Sequence, residues 1–161
     1  MSDSIKALSF SDPELAETTL KGLEALCGPD LLPLLTEVLS EVHDPLRALV
    51  GLTRYLERSY SAKTEASFMQ ACPGYLHMLL TLFSQSRLLT DILCRNPEYA
   101  SWLWEEAPLD ENRPREEMVA EMWAAVSAEE DFQRRCIAIR RFSRREILRI
   151  ATREVWRRSP F

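Results

Sequence analysis

Between Phe132 and Arg158 the chain contains neither glycine nor proline, and Ile, Leu, Arg, Glu and Ala dominate the stretch. Those residues lose little freedom in a helix, so the spacing predicts one long, unbroken helix there. Its charge opposes that of the rest of the chain. Ten of the twenty Lys and Arg lie after residue 131, against only Glu146 and Glu154. The preceding residues hold the other ten against 23 of the 25 Asp and Glu, and the whole chain is at −5. A basic helix at the end of an acidic helical body is what any reading has to accommodate.

The rest of the chain also reads as helices. Ser11-Asp12-Pro13-Glu14 is a start signal: a capping side chain, a proline in the first turn, and an acid near the positive end of the dipole. Leu15, Leu20, Leu23 and Leu26 supply an apolar face, and Gly28-Pro29 ends it. A second helix is expected from about Asp30 to Val42, with Pro33 in its first turn. Asp44-Pro45 starts a third, carrying Leu46, Leu49, Val50, Leu52, Tyr55 and Leu56 at helical spacing. Gly51 within it costs up to about 1 kcal/mol against alanine, which points to a close helix approach.

A short helix over about Glu65 to Ala71 precedes the break at Cys72-Pro73-Gly74. Tyr75 to Phe83 is apolar enough to be the centre of the bundle. Ser84 to Ser86 caps a helix from Arg87 to Arg95, and Asn96-Pro97-Glu98 opens another ending near Trp104. Pro114 begins a helix through Met118, Val119, Met122, Trp123 and Val126, after which Ser127 is expected to cap the long helix. No segment alternates as a strand does, and no fixed period suggests a solenoid. The expected architecture is all-α: an irregular orthogonal bundle of about 7–9 helices in one domain, 1–161. Its parts are N-terminal helices (1–43), central helices (44–107), an acidic loop (108–114) and C-terminal helices (115–161).

No chemistry is encoded by motif. The four glycines are scattered singly, so no phosphate loop exists. The acid pairs Glu105-Glu106, Asp110-Glu111 and Glu116-Glu117 point about 100° apart on a helix and read as solvated surface. His43 reads as a surface residue and His77 as a satisfied core residue. No catalytic, cofactor-binding or metal-ligating residue is assigned. Cys27, Cys72, Cys94 and Cys136 form no C-x-x-C pair and read as buried free thiols of a reducing compartment. With no signal-type apolar run and no stretch long enough to span a bilayer, a cytoplasmic protein without a membrane partner is expected.

On a helical wheel of the long stretch, Arg134, Arg141, Arg145, Arg149 and Arg153 gather on one side. They form the candidate docking face. Phe132, Cys136, Ile139, Ile147, Ile150, Ala151 and Val155 take the other side, which is expected to be buried. Arg140 and Arg144 fall among these apolar positions, where an arginine needs a carboxylate. Asp91 and Glu98 are the expected partners. A basic stripe near Trp156 could meet nucleic acid phosphates, but an isoelectric point of 5.2 and the lack of a reader motif argue against that partner.

The run Ile139-Arg140-Arg141-Phe142-Ser143-Arg144-Arg145-Glu146-Ile147-Leu148-Arg149-Ile150-Ala151-Thr152-Arg153-Glu154 resembles a signature that precedes the catalytic core of glutamine synthetase adenylyltransferase/adenylyl-removing enzymes. Three upstream pieces resemble the same family in the same order. They are Asp44 to Leu49 with Tyr55-Leu56-Glu57, Leu79 to Leu89 with Ile92-Leu93, and Arg95 to Glu98 with Trp102-Leu103. The resemblance spans roughly Asp44 to Arg158. It implies a two-headed nucleotidyltransferase that attaches AMP to glutamine synthetase and removes it, using ATP and magnesium in the parent family.

The family's catalytic motif is a Gly-Gly turn followed by Asp-x-Asp, and this sequence contains neither. No cofactor and no catalytic residue therefore carries over to this chain. The expectation is a helical N-terminal module, ending about where the nucleotidyltransferase domain starts. It would scaffold that domain, with glutamine synthetase as a second partner. The alternatives are a free-standing helical interaction domain without catalysis, or a nucleic-acid-binding helical domain.

Overall fold

A computed structural model describes residues 10–107, 109 and 113–158, with the backbone alone for residues 156–158. Over these residues the chain is all-α. Nine helices occur among them: α1 Pro13–Cys27, α2 Leu32–Leu39, α3 Pro45–Arg58, α4 Ala62–Ala71, α5 Pro73–Gln85, α6 Arg87–Arg95, α7 Glu98–Glu105, α8 Arg115–Ser127 and α9 Phe132–Arg158. A 3-10 turn, Pro29–Leu31, joins α1 to α2. Residues 1–9 and most of the expected acidic loop, 108–114, lie outside the described residues, as do the side chains of Trp156, Arg157 and Arg158.

The caps explain the boundaries. Asp12 accepts from the Leu15 N–H at 3.0 Å, and Asp44 accepts from the Arg47 N–H at 3.0 Å. Each satisfies one of the orphan donors at a helix start. Gly28 has φ +89°, a left-handed conformation that glycine adopts without strain, and its N–H returns to the Glu24 carbonyl at 2.8 Å.

Three boundaries differ from expectation. The helix expected over Asp30 to Val42 splits, because Pro29 sets a tight turn and Ser40 folds its N–H and hydroxyl back onto the last turn of α2. The helix expected from Glu65 begins at Ala62, since Ser61 supplies the cap through the Thr64 N–H at 3.3 Å. Ser127 closes α8 and does not cap α9. Asp131 caps α9 instead, accepting from the Arg134 N–H at 2.8 Å.

Helix α5 is the hub. From Tyr75 to Ser84 every side chain except His77 is buried, as expected of a helix that is apolar all round. Helices α2, α3, α4 and α6 pack around it, α1 lies over α3 and α4, and α9 reaches it from the far end of the chain. The closest crossing is α3 on α5. A Cβ on Gly51 would sit 2.8 Å from the Cβ of Phe83, so only glycine lets the two backbones approach this far. Gly74 likewise leaves room for the Trp104 ring, at 2.9 Å from a built Cβ.

Beside this crossing lies an inner polar cluster. Tyr55 and Tyr75 both donate to Oε1 of Glu65 at 2.7 Å, and their hydroxyls are 3.1 Å apart. Burial is the main cause that pushes both phenols well above the ordinary tyrosine range. They stay neutral and act as donors that tie α4 to α3 and α5. The half-buried His77 faces Glu41 at 3.2 Å. The cysteines are free; Cys94 is buried, whereas Cys27, Cys72 and Cys136 are only half-buried.

The α3–α5 contact predicts the outcome of Gly51→Ala. Overpacking against the Phe83 stem costs about 1–3 kcal/mol, offset by up to about 1 kcal/mol of helix propensity. The net loss should appear as a lower midpoint in urea unfolding with an unchanged slope.

Candidate functional site

The long helix α9 and its partner α8 form a hairpin whose tip is tied by short-range polar contacts. The Arg135 Nε donates to the Glu129 carbonyl at 2.9 Å, and Arg134 pairs with Asp131 at 3.2 Å. Helix α8 has no buried residue. Helix α9 is exposed in its first half and docks in its second, against α5, α7 and α8.

The rotation of α9 is the opposite of what the wheel predicts. Leu148, Thr152 and Val155 are buried, with Leu148 and Val155 joining the common core. Arg149, expected on the outer charged face, is 2% exposed. The residues expected to be buried turn outward: Phe132 is 74% exposed, and Ile139, Ile147 and Ile150 are 41–42% exposed. Of the expected inward group, Val155 is buried, and Cys136 and Ala151 are half-buried.

Side-chain chemistry explains this inversion. Arg149 donates through Nε (3.0 Å) and one terminal nitrogen (2.8 Å) to Oε2 of Glu146, one turn earlier. Arg113, just before α8, donates to the other carboxylate oxygen at 3.1 Å and also pairs with Glu121. Glu121 is the main cause favouring the charged form of Arg113. Met118 of α8 places its sulfur 4.0 Å from Arg149. One buried carboxylate thus holds two guanidiniums, and a buried arginine is tolerable only with such partners. The network is not complete: the remaining Arg149 terminal nitrogen and the Thr152 hydroxyl are buried without a hydrogen-bond partner among the described residues.

The other expected site residues fall into separate environments. Arg145 stacks over the Trp102 ring of α7, 4.2 Å from its centroid, a cation–π contact that anchors α9 to the body. Arg141 is exposed and Arg145 half-buried, and together they line two open grooves. One, of about 360 Å³ between α7 and α9, also has Glu98, Tyr99, Trp102 and Glu106 in its wall. The other, of about 470 Å³ between α8 and α9, has Ala125, Ile137, Ala138 and Phe142 with Glu121, Glu129 and Arg134.

Arg153 is half-buried and lies 3.7 Å from Glu154. Arg140 is exposed and Arg144 half-buried. Asp91 does not serve them: it pairs with Arg54 of α3 at 2.8 Å, because α6 packs on α3 rather than on α9. Glu98 comes near Arg141 and Arg145, beside Tyr99. Burial raises the Tyr99 phenol, and Arg141, Arg144 and Arg145 pull it back, a sign that these guanidiniums converge there.

Among the described residues no group of three His, Cys, Asp or Glu could hold a metal ion, and no helix is long and apolar enough to cross a membrane. The arrangement leaves two distinct faces of one hairpin exposed.

A family model described as glutamate-ammonia ligase adenylyltransferase matches residues 76–160, which run from α5 through α9. The bifunctional glutamine synthetase adenylyltransferase/adenylyl-removing enzyme of Leifsonia xyli subsp. xyli is 29% identical over 155 residues, covering 91% of this chain. The chain spans 15% of that relative's length. No solved structure matches the chain at a significant level.

The buried network predicts an unequal pair of substitutions. Glu146→Ala leaves Arg149 buried without its carboxylate and should cost about 3–5 kcal/mol of unfolding free energy. Arg149→Met should cost clearly less, because Glu146 keeps Arg113. Urea unfolding of the two variants checks the order, and equal losses would show that Glu146 does not hold Arg149.

Proposed function

The chain belongs to the glutamate-ammonia ligase adenylyltransferase family, and on that premise we propose that it is a helical bracing module of such an enzyme. The brace is α9. Its inner side is locked to the body by Leu148, Val155 and the Arg149–Glu146–Arg113 network. Its outer side carries the isoleucine stripe.

That stripe is the observation on which the reading rests. Phe132, Ile139, Ile147 and Ile150 follow one flank of α9 over 18 residues, about 27 Å of helix. A run of large apolar side chains along one flank marks an interaction surface rather than scattered surface leucines. Arg140 and Arg144 lie beside it, so the cover should be apolar with carboxylates along one edge. A nucleotidyltransferase domain is the cover proposed here. ATP and magnesium belong to that domain, and AMP transfer to and from glutamine synthetase is the activity of the whole. This chain contributes rigidity and placement, and no catalytic group. Glutamine synthetase itself is a second proposed partner, reached through the larger enzyme.

The experiment is calorimetric titration of the purified chain against the remainder of the Leifsonia relative, expressed without its matched segment. Binding is expected, and Ile139→Asp with Ile150→Asp should weaken it at least about tenfold, the equivalent of about 1.4 kcal/mol. An absence of binding, or binding indifferent to the double substitution, would contradict the bracing role.

A further inference from the structure

The hairpin has two sides, and the groove between α8 and α9 identifies one of them. Helix α8 meets α9 through its half-buried Met118, Met122 and Val126. Helix α9 meets α8 through Phe142 and through Glu146, which holds Arg113. Residues one position earlier turn about 100° to one side, and on both helices these line the groove: Glu121 and Ala125, Arg141 and Arg145. Residues one position later turn about 100° the other way: Val119 and Trp123 on α8, Ser143 and Ile147 on α9. In an antiparallel pair both later sets fall on the same side, so the exposed Val119 and Trp123 share the outer side with the isoleucine stripe. Trp123 stands level with the stretch 138–145 of α9, where Ser143 interrupts that stripe.

This outer side is a furrow with two apolar rails. Packed helices lie about 8–10 Å apart, so a third helix at the same spacing touches both. The α9 rail is straight: Phe132 and Ile150 are 18 residues apart, about five turns, and point the same way. The α8 rail answers a need of α8 itself. That helix has 13 residues and buries none of them, and helices shorter than about 12–15 residues are marginal without packing. Charge marks one edge of the furrow. Arg140 and Arg144 each stand two residues from Phe142, so they border it on the edge away from α8. From Phe132 to Arg153 the one carboxylate is Glu146, and it is buried. On the α8 edge, Arg115 and Glu116 offset each other.

We propose that one amphipathic helix of the covering domain lies along this outer furrow, seated on α8 as well as α9, and completes a three-helix unit. The inference rests on the bracing role and specifies its partner. The covering helix brings an apolar ridge that meets both rails, and carboxylates along the edge that faces Arg140 and Arg144. Trp123 is its anchor, since tryptophan carries a large apolar area and is enriched at the centres of protein interfaces. Its arrival gives α8 the packing that the chain by itself does not supply.

The test adds hydrogen exchange, read by mass spectrometry, to the titration of the chain against the remainder of the Leifsonia relative. Amide exchange across α8 should slow at least about tenfold in the complex, while that of α5 stays unchanged. Trp123→Ala should raise the dissociation constant at least about tenfold, as for an interface anchor. Arg140→Glu should weaken binding and flatten its dependence on salt. Arg141→Ala, on the groove side, should leave binding intact. All three positions are exposed, so an unchanged far-UV spectrum will confirm that the variants are folded. Binding that the isoleucine substitutions weaken, but that leaves α8 exchange unchanged and ignores Trp123→Ala, overturns this inference and keeps the brace. Binding lost in Arg141→Ala overturns it by moving the partner into the groove, and a salt dependence indifferent to Arg140→Glu removes the acidic edge. No binding at all defeats the brace and its covering helix together.

Discussion

A guanidinium in the interior of a protein is stable only where a carboxylate meets it, and Glu146 meets Arg149 within the same helix turn. That pairing permits Arg149 to be buried beside Leu148 and Thr152. The carboxylate is shared with Arg113, which ties the entry of α8 to the same point. Once this junction is set, Leu148 and Val155 face the core, Arg145 falls on the Trp102 ring, and the isoleucines have only the outside left to them. The helix is amphipathic, but its isoleucine flank faces away from its own core.

The body needs this junction less than the hairpin does. Helix α5 is enclosed by α2, α3, α4 and α6, with the Gly51–Phe83 crossing and the Tyr55–Tyr75–Glu65 cluster fixing their mutual positions. Helix α8 buries nothing and keeps its place through Arg113, Met118 and Glu121. A globular hub thus carries a long hairpin, fastened at its root by Leu148, Val155 and the Arg145–Trp102 stack, while the Arg113–Glu146–Arg149 network joins its two helices. That division is what the proposed bracing role requires.

Much of this was legible in the residues. Asp12, Asp44 and Ser86 announced helix starts because a short side-chain acceptor beside the first free amides is a local feature, independent of the rest of the fold. Gly51 announced the close crossing because a glycine inside a good helix has a cost that packing must offset. The facing of α9 was not legible in the same way. A wheel ranks guanidinium as the group least suited to burial and takes no account of its aliphatic stem or of a partner one turn away. The readable signals were Glu146 three residues before Arg149, and Leu148, Thr152 and Val155 at spacings of four and three. The pairing of Asp91 with Arg54 was beyond reach from sequence, since it depends on which helix lies beside α6.

The facing of α9 can be measured directly by methyl NMR with a soluble paramagnetic agent. Ile92, which is buried on α6, and Leu148 provide internal references. The account requires strong broadening of the Ile139, Ile147 and Ile150 methyls while Ile92 and Leu148 stay sharp. Protected isoleucines on α9 together with a broadened Leu148 would mean that the helix is rotated the other way, and the arginine junction would not be its anchor.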